Sequence, residues 1–93
     1  MSFAAKNVVF QKHDKENWVV VRGELYNNSG ASYHSAVFRM VIFIKGSAPI
    51  RTMITVNNFS AGRKCFFEKQ LKTFDPRMID RVTRFEVLLE GSC

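Results

Sequence analysis

The stretch Tyr33-His34-Ser35-Ala36-Val37-Phe38-Arg39-Met40-Val41-Ile42-Phe43-Ile44-Lys45 decides the fold. Side chains on a β-strand alternate between faces, so a period of two sorts these residues into two rows. Ala36, Phe38, Met40, Ile42 and Ile44 form the row predicted to face inward. Ser35, Val37, Arg39, Val41, Phe43 and Lys45 form the outward row. No helical period fits both rows, and the β-branched and aromatic content suits a strand.

The same alternation extends in both directions. Before it, Asn27-Asn28-Ser29-Gly30 is a turn signal, because Asn and Gly tolerate positive φ. That turn ends a strand predicted from Trp18 to Tyr26, with Val19, Val21, Gly23 and Leu25 on one face and Trp18, Val20, Arg22, Glu24 and Tyr26 on the other. Gly23 in mid-strand marks a bulge or a place where a ring from the opposite sheet packs on bare backbone. The charged turn His13–Asn17 separates it from a first strand near Asn7–Lys12.

After the central stretch, Gly46-Ser47-Ala48-Pro49 closes the third strand. A fourth is expected over Ile50–Val56, with Ile54 and Val56 inward and Met53 and Thr55 outward. Asn57–Gly62 reads as a turn, and Arg63–Leu71 as a fifth strand. Asp75-Pro76 has the form of an N-cap followed by proline at the first helical position, so a short helical turn is predicted to end near Asp80. Arg81–Glu90 is the last strand, with Phe85, Val87 and Leu89 inward. Short strands with turn signals between them predict a single all-β domain over residues 1–93, an immunoglobulin-like antiparallel sandwich of six to seven strands.

Two segments resemble the FxLYD domain family, which has an immunoglobulin-like sandwich fold. Val21-Arg22-Gly23-Glu24-Leu25-Tyr26-Asn27-Asn28-Ser29-Gly30, followed by Tyr33, is similar to the family's Gly-x-Val strand and Asn-Asn-Ser-Gly turn. The eponymous motif falls on Met40-Val41-Ile42-Phe43-Ile44, with Ile44 at the Asp position. Val56-Asn57-Asn58-Phe59-Ser60-Ala61-Gly62 and Phe67 follow the next part of the pattern, with Ala61 at the Pro position. The resemblance spans roughly residues 18–68. It implies the sandwich fold and an envelope-type setting outside the membrane, and it brings no catalytic residues.

Composition bounds the function. Ninety-three residues with 46% hydrophobic content and nine Phe can bury a core made largely of rings. The net charge of +6 draws the chain toward acidic partners but also serves solubility. Basic residues are scattered, Arg63-Lys64 being the longest cluster. Cys65 reads as a small core residue, and Cys93 as a free thiol on a fraying tail. Two cysteines and the distant His13 and His34 do not compose a metal site, and no cofactor is expected. His34 and Ser35 point to opposite faces, Asp75 is explained by capping, and no phosphate-binding glycine loop appears, so an enzyme is not expected. The longest apolar stretch, Met40–Ile44, is too short to insert in a membrane. No signal peptide is visible at Met1–Lys6, which favours a cytoplasmic setting, or an extracytoplasmic one for an excised domain.

The informative feature is the outward row. The third, fifth and last strands are expected to share a sheet whose solvent face carries Val37, Arg39, Val41, Phe43, Lys64, Phe66, Arg84 and Leu88. Outward positions on a solvated antiparallel sheet should be polar. An apolar patch rimmed by Arg and Lys predicts a binding face for a protein, including a second copy of the chain as a homodimer. The alternatives are that the N-terminal residues or the Lys72–Asp80 loop cover that face, or that a one-residue slip of register exchanges the two faces. Trp18, Val20, Arg22 and Tyr26 form a second candidate patch on the other sheet. Rings interleaved with basic residues also suit single-stranded nucleic acid, the rival class of partner.

Overall fold

A computed structural model describes residues 3–93 of the chain. Six strands form: β1 (Phe3–Lys12), β2 (Val19–Asn27), β3 (Tyr33–Ile44), β4 (Ile50–Phe59), β5 (Lys64–Leu71) and β6 (Val82–Ser92), with a 3-10 turn over Pro76–Arg81 before the last. They build two three-stranded antiparallel sheets, ordered β1-β2-β5 and β4-β3-β6. This is the pairing of the A-B-E and C′-C-F strands of an immunoglobulin-like sandwich. The helical turn starts as its sequence predicts: Asp75 accepts a hydrogen bond from the Arg77 backbone N–H, with Pro76 at the first position.

The inward row of β3 is the centre of the core. Ala36, Phe38, Met40 and Ile42 are fully buried, facing Val19, Val21 and Leu25 of β2. Rings close both ends of the sandwich. Phe3 stands edge-on to Phe38 at 5.1 Å, and Phe38 edge-on to Phe59 at 6.2 Å. At the other end, Phe10 lies 6.3 Å from Phe74 and 6.2 Å from Phe85. Each such pair adds roughly 0.5–1.5 kcal/mol to the burial of its area.

Three expectations are corrected. First, β5 does not join β3 and β6; it pairs with β2. The connection after β4 is a crossing between sheets rather than a hairpin. Phe59, expected in a turn, is buried between the sheets. Asn58 at φ 56° and Gly62 at φ 76° bend the chain there, the latter a left-handed conformation that suits glycine. The side chain of Asn27, at the end of β2, catches the crossing: its Nδ2 donates to the Phe59 carbonyl at 3.1 Å and to the Ala31 carbonyl at 2.8 Å. Its Oδ1 accepts from the backbone N–H and hydroxyl of Ser29. Backbone bonds from Asn27 to Arg63 and from Gly62 to Asn27 then set β5 beside β2.

Second, β1 begins at Phe3, four residues earlier than its alternation suggests. Asn7, at φ 54°, sits in a bulge that shifts the β1–β2 register between Lys6 and Val9. Phe3 and Ala5 on one side of the bulge, and Val8 and Phe10 on the other, all pack on the core. Phe3–Lys6 thus extend a sheet rather than cover one. Third, the tail expected to fray at Cys93 is paired with the start of β3. The Cys93 N–H donates to the Ser35 carbonyl at 2.9 Å, and its carbonyl accepts from His34 at 2.8 Å.

Gly23 is explained by a close approach. A Cβ there would lie 2.9 Å from the ring of Phe67 and 3.0 Å from Val8. The ring comes from β5, the neighbouring strand of the same sheet, where Gly23 and Phe67 are directly paired.

Candidate interaction faces

The predicted face is divided between the two sheets. Val37, Arg39, Val41, Phe43, Arg84 and Leu88 lie on the outer face of β4-β3-β6. Lys64 and Phe66 lie on the outer face of β1-β2-β5, on the far side of the molecule. The place expected for β5 is taken by β4, which brings Arg51 and Met53 beside β3.

On β4-β3-β6 the register aligns Met53, Arg39 and Leu88 in one row across three strands. The next row is Arg51, Val41 and Glu86. Met53 is 43% exposed and Leu88 45%, whereas Val41 is only 7% exposed. Arg39 pairs with Glu90, and Arg84 with Glu86. The Arg84 guanidinium also stands 3.9 Å from the centre of the Phe43 ring, a cation–π contact that leaves Phe43 half-buried. Among the described residues, neither Phe3–Lys6 nor the Lys72–Asp80 segment covers this face. The 3-10 turn packs near β1, and Phe74, Met78 and Ile79 join the core instead. What remains open to a partner is Met53 and Leu88 on either side of a paired Arg39, with Arg51 outside any ion pair among the described residues.

The outer face of β1-β2-β5 is more polar and internally satisfied. Glu24, only 8% exposed, accepts hydrogen bonds from Asn7 at 2.7 Å, Tyr26 at 3.2 Å and Lys64 at 3.2 Å. The Asn7 bond first, and then Lys64, hold its carboxyl below the usual value of 4.5. The same contact raises Lys64. Lys6 stands 4.8 Å from the Tyr26 ring, and Lys64 stands 5.4 Å from the ring of Phe66. Phe66 is 76% exposed and walls a shallow groove of about 360 Å³ shared with Asn7, Arg22, Glu24 and Glu68. Arg22 is engaged there by Glu68 at 2.6 Å and Gln11 at 2.6 Å. Of the second candidate patch, Val20 is buried. Trp18 lies before the start of β2, 5.5 Å from His13 and 5.5 Å from the Lys72 ammonium.

No family model and no curated protein matches this chain. Among the described residues no group of three or more His, Cys, Asp or Glu is placed to hold a metal ion. Among the same residues no helix is long and apolar enough to cross a membrane. Burial pushes the Cys65 thiol above its usual 9.0, which keeps it protonated and a poor nucleophile at neutral pH. Glu24, Arg51 and Met53 are the residues the sequence reading did not place at a candidate site. The signal for Met53 was present in its outward position on the fourth strand, but the neighbour of that strand was not.

Proposed function

We propose that the chain is a non-enzymatic interaction module that binds protein through the outer face of β4-β3-β6. The observation that carries this reading is the row Met53–Arg39–Leu88. It holds two exposed apolar side chains on a sheet face, spaced by an arginine already oriented by Glu90. Exposed Met and Leu side chains beside an Arg match the enrichment of apolar residues and Arg at protein interfaces, and a solvated sheet face with no partner is normally polar there. The FxLYD-like identity belongs to the same reading, supported by the turn Asn27–Gly30 and the core positions Leu25 and Phe67.

The test is affinity capture with the face altered. Met53→Glu/Leu88→Glu should lose the partner held by the unaltered chain while its thermal unfolding is unchanged. Phe66→Glu, on the opposite sheet, should keep that partner. Retention by the double variant would refute the assignment.

One observation favours a second reading, nucleic-acid binding on the other sheet. Phe66 stands exposed beside Lys64, with Lys6 close by over Tyr26. A base stacked on Phe66 would place its phosphates near those ammonium groups. Titration with labelled single-stranded oligonucleotide at low salt tests it. Binding that weakens as salt rises and is lost in Phe66→Ser supports it, and absence of binding rejects it.

A further inference from the structure

We propose that two copies of the chain pair edge to edge through β6, antiparallel about a two-fold axis at Val87, joining their β4-β3-β6 sheets into one six-stranded sheet. This goes beyond the face reading, because it concerns the free β6 edge of the same sheet, two strands away from Met53 on β4.

The four sheet edges are not alike. β1 is broken by the bulge at Asn7. β5 is only 8 residues long and carries Lys69 on its inward side, opposite Val21. β4 follows Pro49, and Asn58, one residue before its end, is in a left-handed conformation. These are devices that discourage strand addition. β6 is 11 residues long, and its irregularities fall at its two ends, where Thr83 and Glu90 are skipped in the pairing with β3. Between them, Arg84–Leu89 is a regular strand with no proline, glycine or lysine. Among the described residues, nothing pairs with its other side.

Leu88 and Leu89 locate the missing neighbour. Leu88 pairs with Arg39 and faces outward, whereas Leu89 pairs with Phe38 and faces inward. Both are exposed, at 45% and 38%. A partner lying on one face of the sheet would cover one of them. A strand alongside β6 covers both, as in β-augmentation.

Charge selects a second copy and its register. A two-fold axis perpendicular to the sheet preserves the faces, so it must pass through a residue. Centred on Val87, it sets Arg84 opposite Glu90, Glu86 opposite Leu88 and Phe85 opposite Leu89. Centred on Leu88, it sets Glu86 opposite Glu90, and centred on Glu86, it sets that carboxylate against its own copy. Centred on Phe85, it sets Arg84 opposite Glu86 but leaves Leu89 opposite Arg81, before the start of β6. Of these registers, the one at Val87 alone combines pairing of opposite charges with coverage of both leucines. Arg39, already held by Glu90, would then belong to a chain of alternating charge across the joint.

Sedimentation equilibrium of the full chain, from micromolar to millimolar, tests this. The expected result is a monomer–dimer equilibrium that Glu90→Arg weakens by about tenfold or more and that Arg84→Glu/Glu90→Arg restores to within about threefold. Circular dichroism on each variant separates loss of pairing from loss of folding. Val87→Cys in a Cys93→Ser background should form a disulfide-linked dimer, because residues paired on the axis lie within disulfide reach. A chain that stays monomeric throughout, a double variant no better than Glu90→Arg, or no cross-link at position 87 overturns the proposal. A dimer abolished by Met53→Glu yet indifferent to Glu90→Arg also overturns it and leaves the face reading standing. Loss of partner binding only on altering Phe66 would instead remove the face reading.

Discussion

Replacing Asn27 by alanine tests the device that makes this topology. The side chain is fully buried and makes four hydrogen bonds. The bonds from Ser29 cost little to lose, because Ser29 is close to solvent and can turn to water. The Phe59 carbonyl cannot, since its residue is almost fully enclosed. An unsatisfied buried acceptor costs about 1–3 kcal/mol, and the partly buried Ala31 carbonyl adds about 0.5–1.5 kcal/mol. Asn27→Ala should therefore destabilise the domain by about 2–4 kcal/mol. In a domain of this size that lowers the melting temperature by about 10 °C or more. Urea unfolding followed by the fluorescence of Trp18, the sole tryptophan, reads this directly. A loss below about 0.5 kcal/mol, the level of an ordinary surface substitution, would refute the claim that Asn27 holds the crossing between sheets.

The remaining predictions are briefer. Phe38→Ala should cost about 3–5 kcal/mol in thermal melts. Phe43→Ala, which loses mainly the contact with Arg84, should cost about 1 kcal/mol; equal costs would mean the two rows of β3 are not inner and outer. Glu24 has a folded pKa below its unfolded value of 4.5, so its contribution to stability is full above that pH and is lost as pH falls through the folded value. Glu24→Gln should flatten the acid arm of the stability–pH curve, whereas an unchanged arm would mean its contacts with Asn7 and Lys64 contribute nothing. Cys93 should react with a thiol reagent in the native state well before Cys65, which is half-buried and held protonated; equal rates would contradict the placement of Cys65.

What could be read from sequence follows from which interactions are local. The inner and outer rows of β3 depend only on alternation, and all five inward residues from Ala36 to Ile44 are buried. The cap at Asp75 and the turn at Asn27–Gly30 are likewise short-range patterns with short-range causes. The sheet that β5 joins depends on Phe59 entering the core and on Asn27 reaching it, 32 positions away in the chain, and no local pattern records that. The bulge at Asn7 hid Phe3 and Ala5 because it resets the period of two. The same period places Leu89 inward, opposite Phe38, yet it is exposed because β6 has no neighbour among the described residues to enclose it.

The candidate face shows the same division. The outward direction of Val37, Arg39, Val41 and Phe43 was legible, but their covering was not. Val41 is buried in a row between Arg51 and Glu86, which depends on cross-strand register. Lys64 and Phe66 left the face when β5 changed sheets, and Met53 entered it with β4.

Positions 53 and 66 separate the two faces. With a photoreactive phenylalanine analogue at either position, irradiation in the producing cell captures whatever lies within a few ångströms. A protein adduct at position 53, abolished by Leu88→Glu, and none at position 66 is the expected result. An adduct at position 66 with position 53 silent would place the binding surface on β1-β2-β5 and contradict the account.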